Sequence, residues 1–130
     1  MSNFDKKNVG DFGEEICANY LKKQGFKILE RNSRLGKLET DIIATNKTHV
    51  IFVEVKTRRI DKNNISRPSD AVNAAKRDNL LKFAYYYIKT LPSKHASKQP
   101  RMDVCEITVE AVEEKLVLHE LNYIENAFSR

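Results

Sequence analysis

Val9, Phe12, Ile16, Tyr20 and Leu21 recur at helical spacing ahead of Gly25, which predicts a first helix over about residues 3–24 that stops at the glycine. Projected at ~100° per residue, Gly13 falls inside the apolar stripe of that helix and Glu14 at its edge. The period then changes to two. "FKILERNSR", "LETDIIATN" and "HVIFVEVKTR" read as three strands, with the residues "TNKT" as a hairpin turn between the second and third. The polar, aperiodic "RIDKNNISRPS" is long for a plain connection and suggests a functional or mobile loop. "SDAVNAAKRDNLLKFAYYYIK" predicts a second helix with Ser69 or Asp70 as N-cap. Val72, Ala75, Phe83 and Tyr86 would form its buried face, onto which Lys76 also projects. "LPSKHASKQP" reads as a flexible basic loop, "RMDVCEITVE" and "KLVLHELNY" as two more strands, and "ENAFSR" as a short tail. The order αβββαββ contains no internal repeat and no linker. It predicts one α/β domain over residues 1–130, a central sheet flanked by helices.

Composition narrows the class. With 41% hydrophobic and 32% charged residues in 130, the chain has the make-up of a soluble globular domain large enough to bury a core. No stretch approaches the roughly 18 consecutive apolar residues of a membrane span. The opening "MSNFDKKNVG" lacks the layout of a signal peptide, so a cytoplasmic location is expected. Cys17 and Cys105 lie far apart with no metal-binding spacing, which predicts two buried, reduced thiols. The net charge of +5 is unevenly spread. Residues 56–101 hold 12 Lys/Arg against three acids, a local net of +9, while residues 102–130 carry a net of −5. The middle third is suited to face a polyanion, with Arg58 and Arg59 at its leading edge.

Within the apolar strand "HVIFVEVKTR", Glu54 and Lys56 are two residues apart and so share a face with Phe52, while Ile51, Val53 and Val55 point the other way. A charged pair in such a strand needs partners or a job. On the preceding strand Glu39, Asp41 and Ile43 alternate in the same way. A two-residue loop at Asn46-Lys47 would set Asp41 diagonal to Glu54, and a loop from Asn46 to His49 would pair them directly. Either register puts both carboxylates on one face. Two carboxylates about 5 Å apart bind a proton or a cation, and Mg²⁺, or Mn²⁺ in its place, takes one or two carboxylates together with water and substrate phosphate. Lys56 beside them could orient or deprotonate a water, or neutralise charge on a phosphate. Asp41, Glu54 and Lys56 thus form the minimal apparatus for metal-assisted phosphodiester hydrolysis. Acid-x-Lys occurs three times in the chain, and only this occurrence lies in an apolar strand after a hairpin that bears an Asp.

"GEEICANYL", "RNSR", "ETDIIA", "IFVEVKTR", "AVNAAK" and "RMDV" occur in the order found in the YraN-like family of predicted endonucleases, which the chain resembles over nearly its whole length. That family is distantly similar to archaeal Holliday junction resolvases. The resemblance implies a restriction-endonuclease-like fold, a central mixed sheet with flanking helices. It also implies that Asp41 and Glu54 are metal ligands, that Lys56 is the catalytic lysine, that Glu14 is a further acid near the metal, and that Lys76 occupies a recurrent basic position. Leu38 stands where the family usually has Gly, and Thr40 replaces an apolar residue. Both changes alter the strand entrance and leave the charged positions intact.

The function expected is therefore a metal-dependent endonuclease acting on DNA, with branched or junction DNA among the candidate substrates. The alternatives are a non-cleaving nucleic-acid-binding module that keeps the fold, and a protein-interaction subunit. A two-fold branched substrate would suit a homodimer. His49, His95 and His119 lack metal-ligand spacing. Tyr85, Tyr86 and Tyr87 are expected to pack in the core rather than stack on bases, and Asp103 to anchor Arg101 or the loop before it.

Overall fold

The computed structural model describes residues 6–60 and 74–128. Helix α1 (Lys6–Lys23) leads into strands β1 (Lys27–Leu35), β2 (Leu38–Thr45) and β3 (His49–Ile60). Helix α2 (Ala74–Ile88), a 3₁₀ turn (Ser93–His95) and strands β4 (Gln99–Val112) and β5 (Lys115–Ile124) follow. The strands form one mixed sheet in the order β1-β2-β3-β4-β5. β3 and β4 run parallel and the other neighbours antiparallel. A five-stranded mixed sheet with a helix on each face is the α/β architecture expected from the sequence and is consistent with a restriction-endonuclease-like fold.

The alternation along β3 explains the two layers. Ile51 and Val53 enter the core beneath α1 together with Cys17, Leu21, Ile42, Ala44, Cys105, Ile107 and Val109. Val50 and Phe52 enter a second core beneath α2 with Ile43, Leu80, Phe83, Ala84 and Tyr87. A strand buried on both faces reads as a near-continuous apolar run, as "HVIFV" does. Both cysteines are free and buried. The Cys17 thiol is pushed up by a hydrogen bond with Cys105 and by burial, so the two thiols meet between α1 and β4 as inert core residues.

Gly25, with φ +93°, ends α1 in the left-handed conformation that glycine adopts without strain. The Gly25 N–H donates to the Lys22 carbonyl (3.1 Å) and the Phe26 N–H to the Leu21 carbonyl (3.0 Å), the paired bonds of a Schellman ending. Phe26 then packs against the α1 core. Gly13 has a different role: a Cβ placed there would meet Thr57 Oγ1 at 1.9 Å. α1 therefore crosses β3 at a distance that only glycine permits, and this fixes the height of Glu14 above the sheet.

Three expectations change. The buried stripe of α2 is Leu80, Phe83, Ala84 and Tyr87, whereas Ala75 and Tyr86 are exposed. The stripe lies one residue further along than the tyrosine run suggested. Tyr87 is selected because its ring stacks on Phe83 (5.6 Å between centroids) and meets Phe52 edge-on (5.8 Å), while its hydroxyl donates to Glu30. Tyr85 and Tyr86 lie 60% and 53% exposed. The basic stretch after α2 contains the 3₁₀ turn and a buried His95 instead of being loop throughout. Strand β3 runs on to Ile60, while the N-cap candidates Ser69 and Asp70, the residue Val72 and the loop after Ile60 lie outside the described residues.

Gly10 and Gly13 should respond oppositely to the same change. Nothing stands within 4 Å of a Cβ at Gly10, so Gly10→Ala should stabilise by about 0.5–1 kcal/mol through helix propensity. Gly13→Ala should cost about 1–3 kcal/mol by overpacking against Thr57. Urea unfolding checks both, and a stabilising Gly13→Ala would contradict the close crossing.

Candidate active site

Thr45 pairs with Val50, Ala44 with Ile51, Ile43 with Phe52 and Ile42 with Val53. This is the register of the longer turn. The Asn46 side-chain oxygen holds it by accepting the backbone N–H of Thr48 (2.9 Å) and of His49 (2.7 Å), the Asx geometry that suits asparagine to turns. Continued by one residue, the register sets Asp41 opposite Glu54, where the β2–β3 ladder has ended. There the Asp41 carboxylate replaces a backbone acceptor and takes the Val55 N–H at 2.8 Å.

Asp41 and Glu54 share the α2 face of the sheet and open into a polar cavity of about 130 Å³ that Lys37, Glu39, Lys76 and Asn79 also line. The Asp41 carboxyl is pushed up to about 7, first by burial and then by the charge of Glu54, with the Val55 N–H opposing. Burial likewise raises Glu54, against the pull of Lys76 and Lys56. The Lys76 ammonium approaches Glu54 Oε1 at 3.6 Å, which explains why a lysine projects toward this end of α2. Burial and then contact with Lys76 hold the Lys56 amine below the ordinary lysine range. Lys76 is raised, first by its hydrogen bond with Lys56, then by Glu54 and Asp41. Two acids that resist ionising thus face two lysines, of which Lys76 keeps its proton more firmly than Lys56.

The remaining candidates are placed differently. Glu14 reaches in from α1 but is held by Arg31 Nε (3.2 Å) and Asn32 Nδ2 (3.0 Å). Its charge still acts on Asp41 as a smaller contribution. Arg58 continues the face of Glu54 and Lys56, whereas the alternation of β3 turns Arg59 to the α1 side. Asp103 does anchor Arg101. Fully buried, it accepts Arg101 Nε (2.9 Å) and Nη2 (2.8 Å), the Tyr123 hydroxyl (2.7 Å) and the Asn126 N–H (2.8 Å). None of the three histidines lines the carboxylate cavity.

Sequence reasoning missed Lys37 and Asn79. Asn79 follows Lys76 by one helical turn, a spacing that could have found it. Lys37 lies in the β1–β2 turn and carries no such signal.

Among the described residues, no group of three or more His, Cys, Asp or Glu side chains converges on one point. The donor set is the carboxylate pair. It fits a hard cation of the Mg²⁺ type, which needs only one or two protein carboxylates and completes its shell with water and phosphate. It does not fit a tetrahedral zinc centre.

The sheet, the crossing helices and the carboxylate–lysine cluster define an α/β protein whose charged site lies where two central strands part. The chain belongs to the uncharacterised protein family UPF0102, whose family model matches residues 13–107. It is 43% identical over 128 residues to a UPF0102 protein of Caldanaerobacter subterraneus subsp. tengcongensis, covering 98% of this chain and all of that relative. Identity to a UPF0102 protein of Caldicellulosiruptor saccharolyticus is 38% over 124 residues, 95% and 99% of the two chains. For one of Syntrophotalea carbinolica it is 43% over 107 residues, 80% and 81%. No helix among the described residues is long and apolar enough to cross a membrane.

The pH dependence of stability should expose Asp41. A carboxyl whose folded pKa is raised binds more protons folded than unfolded, so its ionisation destabilises the fold as pH rises from the ordinary 3.8 through about 7. Asp41→Asn, which keeps an acceptor for Val55, should therefore gain stability over the parent across that interval and keep the gain above it. Melts of both proteins at a series of pH values test this, and a gap that does not widen with pH would contradict it.

Proposed function

We propose that the chain is a metal-dependent endonuclease that hydrolyses phosphodiester bonds in DNA, with branched DNA among its candidate substrates. The observation that carries this reading is the pairing of Asp41 and Glu54 on one sheet face at a polar cavity that Lys76 also lines, with Lys56 in contact with Lys76 beside it. The resemblance to the YraN-like endonucleases and the basic middle third of the chain support it.

Asp41 and Glu54 would hold Mg²⁺ or Mn²⁺, which when bound supplies charge neutralisation at the phosphate and a more acidic water. The chain's own groups do the rest. The Val55 N–H fixes Asp41. Lys56, whose amine releases its proton more readily than an ordinary lysine, orients the attacking water or takes its proton. Lys76 stays charged and faces the phosphate oxygens. Glu14 is a positioning group that braces Arg31 and Asn32 behind Asp41.

A second reading has one observation in its favour. Lys76 gives Glu54 its own counter-charge within 3.6 Å, as suits a nucleic-acid-binding module that keeps the fold and does not cleave. A cleavage screen over branched and linear DNAs with Mg²⁺ and Mn²⁺ separates the two. Salt-dependent binding without any cut product would favour the second.

If the first reading holds, Glu54 and Lys56 should fail differently. Glu54→Ala should lose Mg²⁺ affinity and cleavage together. Lys56→Ala should keep or strengthen Mg²⁺ affinity while cleavage falls by on the order of 10² or more. Calorimetric Mg²⁺ titration beside the cleavage assay reads both, and parallel losses in the two variants would remove the distinct role given to Lys56.

The two arginines should also separate. Arg58→Ala should lower the slope of log affinity against log salt by about one phosphate's share, roughly 0.9. Arg59→Ala, on the opposite face, should leave that slope unchanged. Equal effects would place the nucleic acid elsewhere.

A further inference from the structure

A second cavity, of about 330 Å³, opens at the other end of the same sheet face. Lys27 from the start of β1, Lys47 from the β2–β3 turn, and Lys94 and Lys98 from around the 3₁₀ turn line it, together with His95 and Thr45. Among the described residues, no carboxylate lines it. Four lysines from three separate segments thus line one concavity, with no acid among its described lining residues, where the low-dielectric walls concentrate their field.

Two details show a built site. The Lys98 Nζ donates to Thr45 Oγ1 at 3.1 Å, which fixes the lysine and leaves its other donors for a ligand. His95 is buried, only 8% exposed, and its Nδ1 makes no hydrogen bond. Burial and then the charges of Lys98, Lys94 and Lys27 press on this ring, so an anion among those lysines would relieve it. The lining offers no aromatic plane apart from His95 on which a base could stack. Apart from the His95 ring, its side-chain acceptors are engaged: Asn46 with the turn, Thr45 with Lys98. What it recognises is negative charge spread over oxygens, for which lysine acts as a point charge.

We propose that this cavity is a binding site for a phosphate-type oxyanion, held by Lys27, Lys94 and Lys98 against the His95 ring. Thr45 lies four residues from Asp41 along β2, roughly 13 Å at the strand rise, so this is a separate position from the carboxylate cavity. It does not depend on the nuclease reading. The same chemistry would accept a free phosphate or a phosphate of a nucleic-acid backbone.

The test follows the His95 ring by NMR in the full chain, its signal assigned with His95→Gln, at constant ionic strength. Inorganic phosphate is one arm and a short single-stranded oligodeoxynucleotide the other, with sodium chloride as the control. A saturable shift of His95, absent from His119, is expected in at least one arm. Saturation by phosphate marks a small-anion site, and saturation by the oligonucleotide alone marks a backbone contact. Lys27→Gln and Lys94→Gln should each weaken the binding by about fivefold, whereas Asp41→Asn should leave it unchanged, whatever becomes of cleavage. No saturable shift in either arm, an equal response to chloride, or full affinity in both lysine variants would overturn the proposal.

Discussion

The bond from the Val55 N–H to the Asp41 carboxylate sits where β2 leaves β3, and it balances opposing demands. Burial and the neighbouring Glu54 favour a neutral Asp41, while an N–H donor favours the charged form. In its ionised form such a carboxylate is tolerated only if positive charge is brought to it. Lys76 supplies that charge from α2, and Lys56 from the strand itself. The position of α2 over the sheet is thus tied to the charge of the strands beneath it as well as to the packing of Phe83 and Tyr87.

The two faces of the sheet have different characters. Beneath α1 lie the groups that hold the structure: the buried cysteine pair, the close crossing at Gly13, and Asp103 with its full set of donors. A buried carboxylate bonded by a bidentate arginine, a tyrosine and a backbone N–H is fully compensated and has no capacity left for a ligand. Beneath and beside α2 lie the groups with unmet capacity. The contrast between Asp103 and Asp41 shows that burial alone does not mark a reactive acid. What distinguishes them is whether the surrounding donors satisfy the charge.

Much of this was legible in the chain. The strand alternation alone put Glu54 and Lys56 on one face, and the hairpin placed Asp41 on the same face in either register. The choice between registers depended on the Asn46 side chain capping the turn, which period-two reading does not see. The buried stripe of α2 was misread because three consecutive tyrosines offer the same apolar signal at three angles. The sheet beneath chose Tyr87, through Phe52 and Glu30. His95 was hidden for a related reason, since its burial comes from packing at a sheet end that no local pattern records. Glu14 was legible as an acid at the edge of the α1 stripe, but its capture by Arg31 and Asn32 depends on how β1 runs beneath the helix.

The parallel pairing of β3 with β4 bears on how the molecule assembles. His49 pairs with Gln99, and the same offset of 50 residues persists to Ile60 and Glu110. The chain must therefore close a long loop before its central pair of strands gains any contact, whereas β1, β2 and β3 need only short turns. Asp41 and Glu54 both belong to that local, early-forming meander, while Lys76 arrives with the crossover. The acidic pair would then meet with Lys56 alone beside it, and the repulsion left between the two carboxylates becomes a reason for the crossover helix to dock.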